Sequence, residues 1–276
     1  MPPDIEDHDR GLGFDLQVLN RRRALTLLGG AGLIALVGCG SGSDDKGSSG
    51  ATTTDADGTG TTGADSSGDC TAIPEETAGP FPGDGSNGPD ALGTDGIIRS
   101  DITTSFGSAS GEAEGIPLTI DLTVLDSGSG CGALSGGAVY LWHCDREGNY
   151  SMYSRGVTEE NYLRGLQEVD GDGRVTFTSI FPAAYQGRWP HIHFEVYGSI
   201  DEATDGGDPL VTSQLALPEG ACKEAYGIEG YEESVENLAA TSLDRDMVFS
   251  DGSGQQMAAV EGSPEEGYTA SLTFVV

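Results

Sequence analysis

The clearest pattern in the chain lies at residues 117–126, PLTIDLTVLD, where Leu118, Ile120, Leu122 and Val124 alternate with Thr119, Asp121 and Thr123. A period of two puts apolar side chains on one face of a strand and polar ones on the other, so a half-buried β-strand is predicted. Residues 138–143, 174–180, 191–197, 210–216 and 269–276 read as further strands. Clusters of Gly, Asp and Ser separate them, as turns require. Helical character is confined to residues 223–240, where Gly227 and Gly230 interrupt it. Short strands with this punctuation predict a mainly β fold, an antiparallel β-sandwich with few short helices.

The first 69 residues follow another pattern. Arg21, Arg22 and Arg23 precede an apolar run at residues 24–37. That run is shorter than the ~20 residues a membrane span needs, and a basic cluster before it marks an export signal of the twin-arginine type. It ends in Leu36-Val37-Gly38-Cys39, which resembles a bacterial lipobox, where the cysteine is acylated and becomes the new N-terminus. Residues 1–38 are therefore expected to be a lipoprotein signal peptide. The mature chain is expected to be exported and attached to the cell envelope or cell surface through a lipid on Cys39. Twin-arginine export carries folded proteins, so a metal could be loaded before export. Residues 39–69 are dominated by Gly, Ser, Thr and Asp and lack large apolar side chains, the composition of a flexible tether. The folded domain is expected at residues 70–276.

Charge narrows the function. The chain holds 13 basic and 45 acidic residues, a net charge of −32. Residues 1–38 contain four arginines and five acids, so the remainder keeps −31. This argues against nucleic-acid binding, which needs a basic face. The cysteines, Cys39, Cys70, Cys131, Cys144 and Cys222, form no CxxC pair, which argues against a zinc ribbon or thioredoxin-type site. With Cys39 in the export signal, the other four suggest two disulfides in an exported protein.

Candidate chemistry begins at His191-Ile192-His193. On a strand, residues two apart share a face, so both imidazoles can reach one metal ion. The neighbourhood adds three ordered segments: WHCDREGNY at 142–150, FTSIFPAAY at 177–185 and RWPHIHF at 188–194. Together they resemble the intradiol ring-cleavage dioxygenases, the family of protocatechuate and catechol enzymes and their secreted single-domain relatives. PEETAGPF at 74–81, IRSDI at 98–102 and LVTSQL at 210–215 agree, so the resemblance covers residues 70–276. Phe81-Pro82 stands where relatives often carry aromatic pairs, a departure that concerns the substrate lining.

The resemblance implies iron(III) as cofactor, with Tyr150, Tyr185, His191 and His193 as its ligands. The residue types make physical sense. A phenol ionises near pH 10, and near neutrality only with strong help such as a trivalent cation. Hard anionic oxygens then favour ferric iron. The resemblance further implies a catechol-type substrate and O2, cleavage between the two hydroxylated carbons, and a muconate-type diacid. Tyr185 would also act catalytically by taking up a substrate proton. Arg188 and Gln214 match positions beside the metal, where a guanidinium can stabilise developing negative charge. Three disulfide pairings are open. Proximity to this site favours Cys144 with Cys222, leaving Cys70 with Cys131, because Cys144 precedes Tyr150 by six residues and Cys222 follows Gln214 by eight.

Two motifs are set aside. Asp170-Gly171-Asp172-Gly173 lacks the other ligands of a calcium loop and reads as a turn. His143 reads as structural packing. Two other classes of function stay open: a non-catalytic, surface-anchored sandwich that binds a ligand, and a copper or zinc enzyme of other chemistry. The identity of the catechol and the oligomeric state are open as well.

Overall fold

The computed structural model describes residues 70–276. The segments expected to be a signal peptide and a tether, with Cys39, lie outside the described residues. Strands β1 (Pro117–Asp126), β2 (Gly132–Ala133), β3 (Ala138–Trp142), β4 (Arg164–Glu168), β5 (Arg174–Ile180), β6 (His191–Tyr197), β7 (Val211–Ala216), β8 (Ala259–Ser263) and β9 (Gly267–Val275) build it. Helices α1 (Ile200–Thr204), α2 (Glu219–Ala225) and α3 (Glu232–Ala240) are short. Gly227 and Gly230 fall in the break between α2 and α3, as their interruption of the helical stretch predicts. Among the described residues no helix is long and apolar enough to cross a membrane.

Two sheets face each other. One runs β2-β1-β9-β8, with β5 also paired to β1; the other runs β4-β3-β6-β7. The mainly β sandwich is as expected, with one departure: β1 and β9 are parallel, in register from Leu118 opposite Tyr268 to Leu125 opposite Val275. Leu118, Ile120, Leu122 and Val124 of β1 meet Val139, Leu141, Ile192, Phe194 and Val196 in the inter-sheet core. The Phe194 and Phe274 rings lie 4.8 Å apart across it. The alternation that identified β1 is therefore the alternation that fills the core.

The second sheet is buried on its other face too. Ala138, Tyr140, Trp142, Leu166 and Tyr197 join Ala78, Phe81, Leu92 and Ile97 in an outer layer. Because β6 is sandwiched between both layers, all seven of its residues are buried.

The cysteine expectation is half corrected. Cys70 and Cys131 are bridged, whereas Cys144 and Cys222 are free and buried. Cys222 belongs to the inter-sheet core and Cys144 to the outer layer. There the Cys144 thiol points at the Ala183 carbonyl, 3.7 Å away. The Asp170 segment is a turn into β5: the Asp172 and Arg174 N–H groups donate to Asp170 Oδ1 at 2.9 and 2.8 Å. His143 is structural, its Nδ1 2.7 Å from the Cys144 carbonyl and its Nε2 2.7 Å from Ser179 Oγ.

Candidate metal centre

Register builds the floor of the site. Trp142 of β3 pairs with Arg164 of β4 on one side and His193 of β6 on the other, and His193 pairs with Gln214 of β7. These four residues form one row across the sheet, buried under the outer layer. The Trp142 ring stacks on His193, with centroids 4.9 Å apart and planes within 7°. His191, two residues earlier on β6, reaches the same face.

Loops bring the tyrosines to this row. After β3, Asp145 Oδ1 accepts from the Glu147 and Asn149 N–H groups at 3.0 and 2.8 Å, closing a turn that delivers Tyr150. Gly148 adopts φ +88, and a side chain there would meet Tyr185 Cβ at 3.3 Å. The Asp, Gly and Tyr of the WHCDREGNY segment thus have separate structural reasons. Beyond Tyr150, Met152 sits at φ 71, a left-handed conformation that costs a non-glycine residue about 1–2 kcal/mol. Tyr185 comes from the β5–β6 loop.

The expected ligand atoms converge. Tyr150 Oη lies 3.4 Å from Tyr185 Oη, Tyr185 Oη 3.1 Å from His191 Nε2, and His191 Nε2 3.1 Å from His193 Nε2. His191 Nδ1 is 2.5 Å from the Trp189 carbonyl, which can only accept, so this nitrogen carries the proton. His191 Nε2 therefore offers a single lone pair, yet Tyr185, His193 and Arg188 Nη1 (3.4 Å) all approach it. One lone pair cannot serve both the Tyr185 and His193 atoms, whereas a cation shared by these three groups would take a lone pair from each, with Arg188 left to its acceptors Gln214 and Asp246. His193 Nδ1 is buried with no hydrogen-bond partner among the described residues.

Electrostatics point the same way. Burial, reinforced by Arg188, pushes His191 well below the usual histidine range, and burial together with His191 and Arg188 does the same to His193. Both imidazoles are neutral and able to donate lone pairs. Burial and the neighbouring Tyr185 hold the Tyr150 phenol well above its ordinary pKa. A phenolate in that position needs a strong cation beside it. Two phenol oxygens and two imidazoles fit ferric iron on these grounds. Among the described residues no three His, Cys, Asp or Glu side chains are grouped to hold a metal, so the tyrosines distinguish this cluster. Tyr150 is 1% exposed, while Tyr185 is only half-buried and is the more accessible phenol.

Arg188 and Gln214 stand beside the cluster. Arg188 Nη2 donates to Gln214 Oε1 at 2.7 Å, and Gln214 Nε2 donates to the Thr77 carbonyl at 2.8 Å. Arg188 is no surface ion-pair residue: it is 4% exposed, and its Nε lies 3.0 Å from Asp246 Oδ2. Burial opposes the guanidinium charge, but Tyr185 and Asp246 outweigh it and keep Arg188 protonated. Sequence reasoning missed Asp246. Its carboxylate also accepts from the Trp189, Val248 and Phe249 N–H groups at 2.6, 2.8 and 3.2 Å. Through Trp189, whose carbonyl receives His191 Nδ1–H, it steadies a ligand-type histidine as well as Arg188.

Residues 93–204 match the family model described as Dioxygenase, a span that includes all four converging residues. An intradiol ring-cleavage dioxygenase from Tetranychus urticae shares the fold, with a TM-score of 0.52 and 24% identity over 65% of this chain and 86% of that one. A chlorocatechol 1,2-dioxygenase from Rhodococcus opacus is 34% identical over 53 residues, 19% of this chain. That match spans 21% of the relative's own length. The family model thus matches 112 of the 276 residues, and the solved structure shows a shared fold.

Proposed function

We propose that the protein is an iron(III) intradiol dioxygenase that cleaves a catechol-type ring between its two hydroxylated carbons. Both atoms of O2 enter the product, a muconate-type diacid, so no external reductant is required. The observation that carries this reading is the convergence of Tyr150, Tyr185, His191 and His193 in a buried site with an arginine alongside. Bound there, iron(III) would supply a Lewis acid that takes the catechol as its dianion and makes the ring reactive toward O2. Tyr150, His191 and His193 would hold the metal from buried positions. Tyr185, the accessible tyrosine, would be held as a phenolate by the metal and take up one catechol proton at its Oη, the other passing to hydroxide from solvent. Arg188, fixed by Asp246 and Gln214, stabilises negative charge that develops during oxygen attack. The chain is further proposed to work outside the cytoplasm, tethered by a lipid on Cys39, a reading supported by the sequence of residues 21–39.

Aerobic iron loading tests the metal assignment. One iron per chain and a red-brown tyrosinate charge-transfer band are expected, with the band shifted or weakened in Tyr150→Phe. A colourless, metal-free protein contradicts the assignment, and an unchanged spectrum in the variant removes Tyr150 from the ligand set.

A further inference from the structure

A segment ahead of the sandwich crosses the row Gln214–His193–Trp142–Arg164 from one end to the other. At β7, Ser213 Oγ donates to the Pro74 carbonyl at 2.8 Å, Glu76 N–H to the Thr212 carbonyl at 2.7 Å, and Gln214 Nε2 to the Thr77 carbonyl. At β6, Gly79 adopts φ +72 and passes so near His193 that a Cβ would lie 3.4 Å from its Cε1. At β3 and β4, Arg164 Nη2 donates to the Phe81 carbonyl at 3.0 Å and Nη1 to the Pro82 carbonyl at 2.7 Å. Tyr140 Oη shares the Pro82 carbonyl at 2.7 Å. Pro80 and Pro82 have no N–H, so this strap cannot join a strand ladder. Its buried carbonyls must instead find side-chain donors.

Arg164 is 1% exposed. The guanidinium that holds Phe81 and Pro82 also donates through Nη2 to the Ser151 carbonyl at 2.9 Å and through Nε to Ser151 Oγ at 3.2 Å. Ser151 follows Tyr150, and the Phe81 ring packs on the Tyr150 ring with centroids 5.1 Å apart. One planar fork therefore sets the spacing between the strap and the tyrosine beneath it.

We propose that Arg164 is a positioning residue: it seats the 77–83 strap over the donor cluster and so shapes the wall against which the substrate ring binds. The substrate part of this inference rests on the function proposed above. Gln214 holds the strap at one end; Arg164 holds the other, where Tyr140 Oη shares the Pro82 carbonyl and Tyr153 Oη accepts from the Gly83 N–H at 2.8 Å, and only the Gln214 end touches Arg188.

The test is Arg164→Lys in the full chain, because a lysine ammonium offers point-like donors that cannot span both segments. Hydrogen exchange at the amides of residues 78, 79, 81 and 83 should quicken at least ~10-fold, with β6 and β9 peptides unchanged, since local openings are read separately from global unfolding. KM for a catechol should rise by a larger factor than kcat falls, the mark of lost binding rather than lost chemistry. Iron content should be retained. Exchange that does not quicken at 78–83, or quickens equally across β6 and β9, overturns the proposal, as does a loss confined to kcat. If Arg164→Lys does not fold, Tyr140→Phe removes one donor to the Pro82 carbonyl and should give a smaller effect in the same peptide; no effect there overturns the proposal too. Exchange needs neither iron nor substrate. A protein inert to catechols whose strap is nonetheless released supports the positioning role while contradicting the proposed reaction.

Discussion

On one face of β6, Ile192, Phe194 and Val196 enter the inter-sheet core; on the other, His191, His193, Glu195 and Tyr197 lie beneath the outer layer. Both faces are closed to solvent, but different interactions hold them. The inner face needs only apolar volume at the right density. The outer face buries charges and imidazoles, so each polar atom there requires a particular partner. Asp246 answers Arg188, Gln214 joins Arg188 to Thr77, and Tyr197 Oη donates to Glu195 Oε2 at 2.7 Å. Burial alone does not separate core from site. What separates them is whether the partners are interchangeable.

Neighbouring substitutions on β6 should give the largest contrast. Phe194→Ala is expected to cost ~3–5 kcal/mol of stability, the usual range for a buried phenylalanine, while the folded fraction keeps its tyrosinate colour. His193→Ala should do the reverse, losing iron, colour and turnover with a smaller shift in the denaturation midpoint. Calorimetry with visible spectra of both variants checks this, and equal losses in both readouts would break the comparison.

Asp246→Asn should act on both properties at once. Breaking a buried ion pair costs about 3–5 kcal/mol when one charge is left unpaired. Turnover should fall ~10–100-fold, as for other residues that orient metal ligands. An unaltered kcat would remove Asp246 from the supporting set.

The smallest expected effect is pH-dependent. Burial and Asp251 push the Glu76 carboxyl up to about 7, against Gln256 and Arg188. Its pKa is thus raised on folding, so the native state holds this proton more tightly. The resulting stability is full below the ordinary carboxyl range and is lost as pH rises through about 7. Glu76→Gln should therefore raise Tm by a few degrees at pH 8 and not at pH 4.5. A gain that is the same at both values contradicts the assignment.

Much of this contrast could be read from the sequence where one face of a strand was apolar. The spans of β1, β5 and β6 agree with the residues their alternation marks. β4 escaped because Arg164 and Gly165 give no alternation: Arg164 faces the outer layer, and at Gly165 a side chain would lie 2.5 Å from Ile102 Cγ2. β8 escaped because it is a largely exposed strand, with no apolar face to betray it. The parallel partnership of β1 and β9 depends on chain path, which hydrophobic pattern does not encode. At the site, the tyrosines and histidines stood out by residue type and order. Asp246 did not, because one more acid in so acidic a chain gives no signal until Arg188 is seen against it. The free Cys144 and Cys222 show the same limit, since sequence spacing did not reveal that they occupy different layers.

Product analysis distinguishes cleavage between the hydroxylated carbons from every other outcome. Iron-loaded protein is supplied with O2 and a panel of catechols, oxygen uptake is followed, and the product is identified by mass. One O2 is expected to be consumed per catechol, with a colourless muconate-type diacid that gains both oxygen atoms. A yellow semialdehyde, from cleavage beside the diol, would contradict the assigned chemistry, and no uptake with any catechol would contradict the enzymatic reading itself.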